Sequence, residues 1–235
     1  MKRSLMLVAL VSLFYFMTSA AAGEVDVLIN QVTKGNPSQR VAAAKALGEK
    51  KDPRAVNILV TALKKDVFWD VRLAAEDALV SIGAPSIAPL VQLLKEDKDC
   101  FVRRRAARAL KEMKEACDPT ALKNATQQDS DCCVRRFAAK ALAEIKDPSV
   151  AEFLDDAMKK KNLEIVSAAY RYYIKKGEAG TEDILIEALH VYDKKMIFDF
   201  AHCGNEKLKQ AAYEVAQKGG HKISSDWSGP KWGVI

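Results

Sequence analysis

The sequence predicts an all-α chain, an α-solenoid of about five to six helix–turn–helix repeats. Three observations predict it. A nine-residue motif recurs without gaps as QRVAAAKAL (Gln39 to Leu47), VRLAAEDAL (Val71 to Leu79), VRRRAARAL (Val102 to Leu110) and VRRFAAKAL (Val134 to Leu142). Its second-position arginines, Arg40, Arg72, Arg103 and Arg135, are spaced by 32, 31 and 32 residues, the kind of fixed period that marks a repeat array. No stretch shows the sustained alternation of a strand.

Each motif reads as a helix, because apolar or small residues at positions 1, 5, 8 and 9 share one helical face. Two looser copies follow, IVSAAYRYY (Ile165 to Tyr173) and LKQAAYEVA (Leu208 to Ala216). Position 5 is alanine throughout (Ala43, Ala75, Ala106, Ala138, Ala169 and Ala212), small enough for helices to approach closely. Leu47, Leu79, Leu110 and Leu142 fill the space behind it. Asp99 and Asp131 stand where an aspartate caps a helix N-terminus. A first helix precedes each motif, opened at Asp52-Pro53, Ala84-Pro85, Asp118-Pro119 and Asp147-Pro148, since proline is tolerated at the first helical position. Apolar periodicity follows in Val56, Leu59 and Leu63 and again in Ile87, Leu90 and Leu94. The copy after Pro119, TALKNATQQ, is polar and short and predicts a weak or frayed helix. Thr181 is placed to cap a helix to about Tyr192, Lys194 to His202 reads as an inserted short helix, Cys203-Gly204-Asn205 as a turn, and Gly219-Gly220 as the final stop.

The Asp-Pro starts and VRxxAAxAL helices resemble the HEAT-repeat family, in the short bacterial form also found in phycobilin lyases. The resemblance covers roughly Glu24 to Lys218. It implies second helices lining a concave surface, and it implies no reaction.

The ends are distinct. Lys2 and Arg3 precede an apolar run of 13 residues, Leu5 to Met17, and then small residues with Ala20 and Ala22 in an A-x-A arrangement. This is the three-part pattern of a secretory signal peptide, and the run is short for a membrane span. The expected organisation is a signal peptide over 1–22, a repeat array over 23–218 and a C-terminal tail or cap over 219–235. Trp227 and Trp232 in that tail either cover the open face of the last repeat or dock a partner.

Composition limits the function. Of 235 residues, 49% are apolar and 29% charged, against disorder or a multi-spanning membrane chain. Loss of Lys2 and Arg3 with a leader leaves 35 basic against 31 acidic residues, net +4, a balance that does not demand nucleic acid. His190, His202 and His221 stand apart without the His-Glu pairs of HEAT-type iron hydroxylases. There is no C-x-x-C, no G-x-S-x-G and no Gly-rich phosphate loop, so no catalytic residue, metal site or cofactor is expected. His202-Cys203 reads as a turn-adjacent thiol and Asp155-Asp156 as a solvated face. Of the five cysteines, a bridge from Cys100 to Cys132 or Cys133 is geometrically borderline. Being odd in number, they leave one thiol free or paired between chains.

One pattern points toward binding. Position 7 holds Lys45, Asp77, Arg108, Lys140 and Arg171, and position 3 holds Arg104 and Arg136. Four residues apart, these positions share a helix face. Arg104, Arg108, Arg136, Lys140 and Arg171 are therefore expected as a partner-binding stripe on or beside the concave surface, the alternative being a solvated face balanced by Glu112, Glu115 and Glu144. Arg72, Arg103 and Arg135 are expected to pair structurally across the turn with Asp99 and Asp131. Phe137, Tyr170 and Tyr172 neighbour the stripe. The expectation is a periplasmic or secreted, non-enzymatic bacterial scaffold that binds an acidic protein segment, with no nucleic acid partner and no integral membrane domain once the leader is cleaved. Two alternatives stand beside it: a bilin-lyase-like accessory enzyme, and an assembly factor tethered by an uncleaved N-terminus.

Overall fold

A computed structural model describes residues 23–113, 119–189, 194–220, 222–223 and 228–234. The leader, Cys117, Asp118 and Trp227 lie outside the described residues. Among the described residues every regular element is a helix. The chain divides into two compact units, Met1–Met113 and Lys114–Ile235.

In the first unit, α1 (residues 23–34) is followed by α2 (Pro37–Lys50), α3 (Val56–Lys65), α4 (Trp69–Ile82), α5 (Ile87–Glu96) and α6 (Cys100–Met113). The motif copies are α2, α4 and α6, the second or B helices; α3 and α5 are the first or A helices. Each A helix packs on the B helix that follows it, and the B helices stack in order, α2 on α4 and α4 on α6. The repeat supplies the reason. Ala43, Ala75 and Ala106 are at most 1% exposed, so backbones meet where the motif keeps alanine. Gly48 takes this furthest: a Cβ there would lie 2.8 Å from the Ala78 Cα. Asp52 accepts from the Arg54 backbone N–H at 2.9 Å, and Pro53 begins a short 3-10 turn leading into α3.

In the second unit, α7 (Pro119–Gln128) packs on α8 (Cys132–Leu142), which Asp131 caps through the Val134 N–H. After α9 (Pro148–Lys159) come α10 (Leu163–Ala168), α11 (Tyr170–Lys176), α12 (Glu182–Leu189), α13 (Lys194–His202) and α14 (Glu206–Lys218). Two expectations are corrected here. The polar TALKNATQQ segment is no frayed end but a ten-residue helix with Ala121, Leu122, Ala125 and Thr126 buried; small side chains and close packing on α8 supply what hydropathy lacks. The fifth copy is not one helix. It breaks at Ala169 (φ −97°, ψ 12°), immediately before Tyr170, which fills a position that is alanine in copies one, three and four. Thr181 caps α12 by position as expected, its carbonyl accepting from the Leu185 N–H at 3.1 Å, while its hydroxyl donates back to the Glu178 carbonyl at 2.7 Å.

The predicted turn at Gly204 (φ 92°) and the stop at Lys218 are observed. Beyond them, the Trp232 N–H donates to the Cys203 carbonyl at 2.8 Å and the Gly233 N–H to Ile174 at 2.9 Å. Gly177 (φ 61°) permits that return, since a Cβ there would lie 2.3 Å from the Gly233 Cα. Among the described residues Cys100, Cys132, Cys133 and Cys203 form no disulfide. No helix among the described residues is long and apolar enough to cross a membrane.

Candidate functional site

In the first unit, motif positions 3 and 7 do come together. Val41 and Lys45 on α2 and Leu73 and Asp77 on α4 line one groove with Ser38, Phe68 and Asp70, a cavity of about 440 Å³. Its floor is apolar and its rim carries one lysine and two aspartates. The next helix of the stack puts Arg104 and Arg108 at the same motif positions. Arg104 lies over the Phe101 ring, 5.0 Å from its centre.

Arg108 has a different setting. Its Nε donates to Glu76 Oε1 at 2.6 Å, and Arg105 Nη1 donates to Glu76 Oε2 at 2.6 Å. Glu76 is 1% exposed and Arg105 5%. Burial pushes the Glu76 carboxyl above its usual range, against the pull of both guanidiniums. Arg105 also lies 3.9 Å from the Trp69 ring centre, and its Nη2 has no hydrogen-bond partner. The counter-ion of Arg108 is thus a buried glutamate one repeat earlier, where sequence alone suggested Glu112, which instead pairs with Lys111. Glu115 lies outside the described residues.

The second unit holds Arg136, Lys140 and Arg171. Arg136 and Lys140 sit half-buried on α8. Arg171 Nε and Nη2 both reach Asp199 Oδ2, at 2.8 Å, and the Tyr170 hydroxyl donates to the same buried oxygen. Burial, with the Asp199 carboxylate beside it, raises the Tyr170 pKa. Asp199 belongs to α13. It stands 29 residues after Tyr170, the same offset that separates Arg105 from Glu76. So α13, read in the sequence as an insertion, reaches the fifth copy through Asp199 while packing chiefly on α14. In the first unit position 6 of the second copy touches position 4 of the third, and in the second unit position 6 of the fifth copy touches Asp199 of α13. The legible signal was the loss of alanine at those positions: Glu76 and Tyr170 at position 6, and Arg105 at position 4.

The second-position arginines are structural, and Arg135 also pairs with Glu164 at 2.9 Å. Arg72 Nε donates to the Asp66 carbonyl, Arg103 Nη1 to Asp97 and Arg135 Nη1 to Asp129. Each thus holds a carbonyl left open at the end of the preceding helix. Arg40 does the same for Gly35 and forms a two-point pair with Asp66. In the second unit a further cavity of about 520 Å³ lies against Ile145, Pro148, Tyr172 and Lys175. Asp155 and Asp156 are held by Lys176 and Lys160, and Cys203 is buried and bonded to the Phe200 carbonyl.

A family model of HEAT repeats matches residues 25–116 and 119–195. The chain belongs to the HEAT-repeat family. No curated protein matches it significantly. Among solved structures, the complex of CpcE and CpcF of phycocyanin lyase from Nostoc sp. PCC7120 is 21% identical, with 86% of this chain and 90% of that one covered and a TM-score of 0.48. A designed armadillo repeat protein in complex with the peptide (KR)4 is 18% identical over 83% and 98%, with a TM-score of 0.40. Human deoxyhypusine hydroxylase is 17% identical over 84% and 73%, with a TM-score of 0.33. Likeness at this level carries no argument about activity or ligand. As a HEAT-repeat scaffold, the chain presents its B-helix faces as the surface on which a site would be built.

Proposed function

We propose that this HEAT-repeat protein is an exported, non-enzymatic scaffold that binds an extended partner segment on its B-helix faces, the segment carrying acidic residues and an apolar anchor. The observation that supports this reading is the groove of the first unit. It is built from motif positions 3 and 7, is lined by apolar Val41, Val71, Leu73 and Ala74 with Phe68 at its border, and is followed on α6 by Arg104 at motif position 3. The apolar anchor occupies the groove. Carboxylates of the segment meet Arg104 on α6, and Arg136 and Lys140 offer like chemistry on α8 of the second unit. Arginine grips carboxylates through two parallel hydrogen bonds. Arg108 and Arg171 are held by Glu76 and Asp199. Export rests on the basic, apolar and small-residue succession of residues 1–22.

The test is selection from a random peptide display library, followed by affinity measurement on the recovered peptides. The expected peptides carry Asp or Glu flanking an aliphatic or aromatic residue, and their affinity falls as salt rises. Arg104→Glu combined with Lys140→Glu weakens them. Arg108 is unsuitable for reversal, since a second carboxylate would then face Glu76. Recovered sequences without acidic bias, or affinity unchanged in the double variant with helicity intact, would overturn the reading.

A further inference from the structure

The turns that open α4 and α6 in the first unit carry apolar residues that nothing in the unit covers. Val67 is 84% exposed, Phe68 47% and Trp69 61%, and Phe101 on the next turn is 54% exposed. Seven large hydrophobic residues are exposed among the described residues, and these are four of them, so the exposure is concentrated. Because α4 and α6 pack side by side, the two turns share one edge at a spacing of about 10 Å.

The rings are held from below. The Arg40 guanidinium lies 5.5 Å from the Phe68 ring centre, that of Arg104 5.0 Å from Phe101, and that of Arg105 3.9 Å from Trp69. Arg105 is fixed in turn by Glu76. A buried ion cluster gives little stability compared with the alanines other copies carry at positions 4 and 6. Here it props an exposed tryptophan in one orientation and leaves most of the indole open. The edge is also basic. Residues 64–72 and 97–104 contain six basic against four acidic side chains. Two of the four acids are neutralised within the unit, Asp66 by Arg40 at 2.7 Å and Asp97 by Lys64 at 2.8 Å.

We propose that this edge docks on an anionic lipid surface, with Val67, Phe68, Trp69 and Phe101 in the interfacial layer and the basic side chains at headgroup level. Protruding tips favour a lipid occupant, because the anchors of a protein interface sit in well-packed pockets. Tryptophan and phenylalanine at a bilayer boundary with a basic surround are the usual means of interfacial binding. Phe68 borders the peptide groove and Phe101 lies against Arg104 of the peptide surface, whereas Val67 and Trp69 belong to neither, so Val67→Ser and Trp69→Ser separate the two surfaces.

The experiment is co-sedimentation with sucrose-loaded vesicles of phosphatidylcholine, with and without phosphatidylglycerol. It uses both the full chain and the chain begun at Gly23, which separates any contribution of the apolar leader. The Gly23 form is expected to sediment with the anionic vesicles and much less with the neutral ones. Trp69→Ser and Phe101→Ser are each expected to lower that partition about tenfold, the loss of part of one ring's burial. In a Trp227→Phe, Trp232→Phe background, the emission of Trp69 is expected to shift to the blue and to be quenched by brominated lipid. Should Trp69→Ser lose helicity by uncovering Arg105, Val67→Ser and Phe101→Ser carry the test. No sedimentation of the Gly23 form with either vesicle, or partition unchanged in the variants, overturns the proposal. So does loss of peptide binding in the same variants without vesicle partition, which would assign the edge to a protein.

Discussion

Removing Glu76 and Arg105 one at a time and then together tests whether they form a single electrostatic unit. Position 6 is alanine in copies one, three and four, and position 4 is alanine in copies one and two. The double variant Glu76→Ala, Arg105→Ala therefore restores the small-residue pattern at both places. Glu76→Ala alone leaves Arg105, 5% exposed, without its carboxylate. Breaking a buried pair from one side in this way costs about 3–5 kcal/mol. Arg105→Ala alone leaves Glu76 buried, but Arg108 still reaches Oε1 at 2.6 Å, which reduces the cost to about 2 kcal/mol. The double variant loses packing and leaves no unpaired charge in the interior, since Arg108, with 37% of its side chain exposed, turns to solvent. Its cost is about 2 kcal/mol. The coupling energy is then about 3–5 kcal/mol, and Glu76→Ala lowers Tm by about 6–20 °C while the double variant recovers about half of that loss. The assay is urea and thermal unfolding followed by circular dichroism on all four proteins. Additive single effects, with a double variant less stable than either single, would refute the idea that the pair acts as one unit.

Gly48→Ala should destabilise the first unit by about 1–3 kcal/mol, because the new Cβ meets backbone at Ala78 and α2 and α4 must separate; an unchanged Tm would refute that close approach. Tyr170 has a folded pKa raised above the ordinary value of about 10. Its contribution to stability is complete below about pH 10 and is lost as pH rises through the raised value. Tyr170→Phe should therefore flatten the fall in stability above about pH 10, and identical alkaline slopes for both proteins would count against the buried hydroxyl. Intact mass of the protein recovered from an exporting cell should show loss of residues 1–22; retention of Met1 would end the cleaved-leader reading.

The repeat itself was determined by the sequence. A 31- or 32-residue period, invariant alanine at position 5 and leucine at position 9 specify helix pairs that bury one face, because helical periodicity is local and each copy repeats the same instruction. The Asp131 cap, the bounds of α13 and the Gly204 turn followed from the same local rules. Tertiary structure decided what the side chains on those helices meet. TALKNATQQ becomes a buried helix only because α8 accepts its small residues. Arg72, Arg103 and Arg135 reach carbonyls at the end of the preceding helix, which leaves open acceptors at that place. Arg108 and Arg171 looked equivalent to Arg104 in the motif, yet Glu76 and Asp199 engage them across the stack. Those partners lie 32 and 28 positions away along the chain, and only packing brings them together. The same packing leaves Val67, Phe68, Trp69 and Phe101 uncovered, a surface that no periodicity within a single helix could reveal.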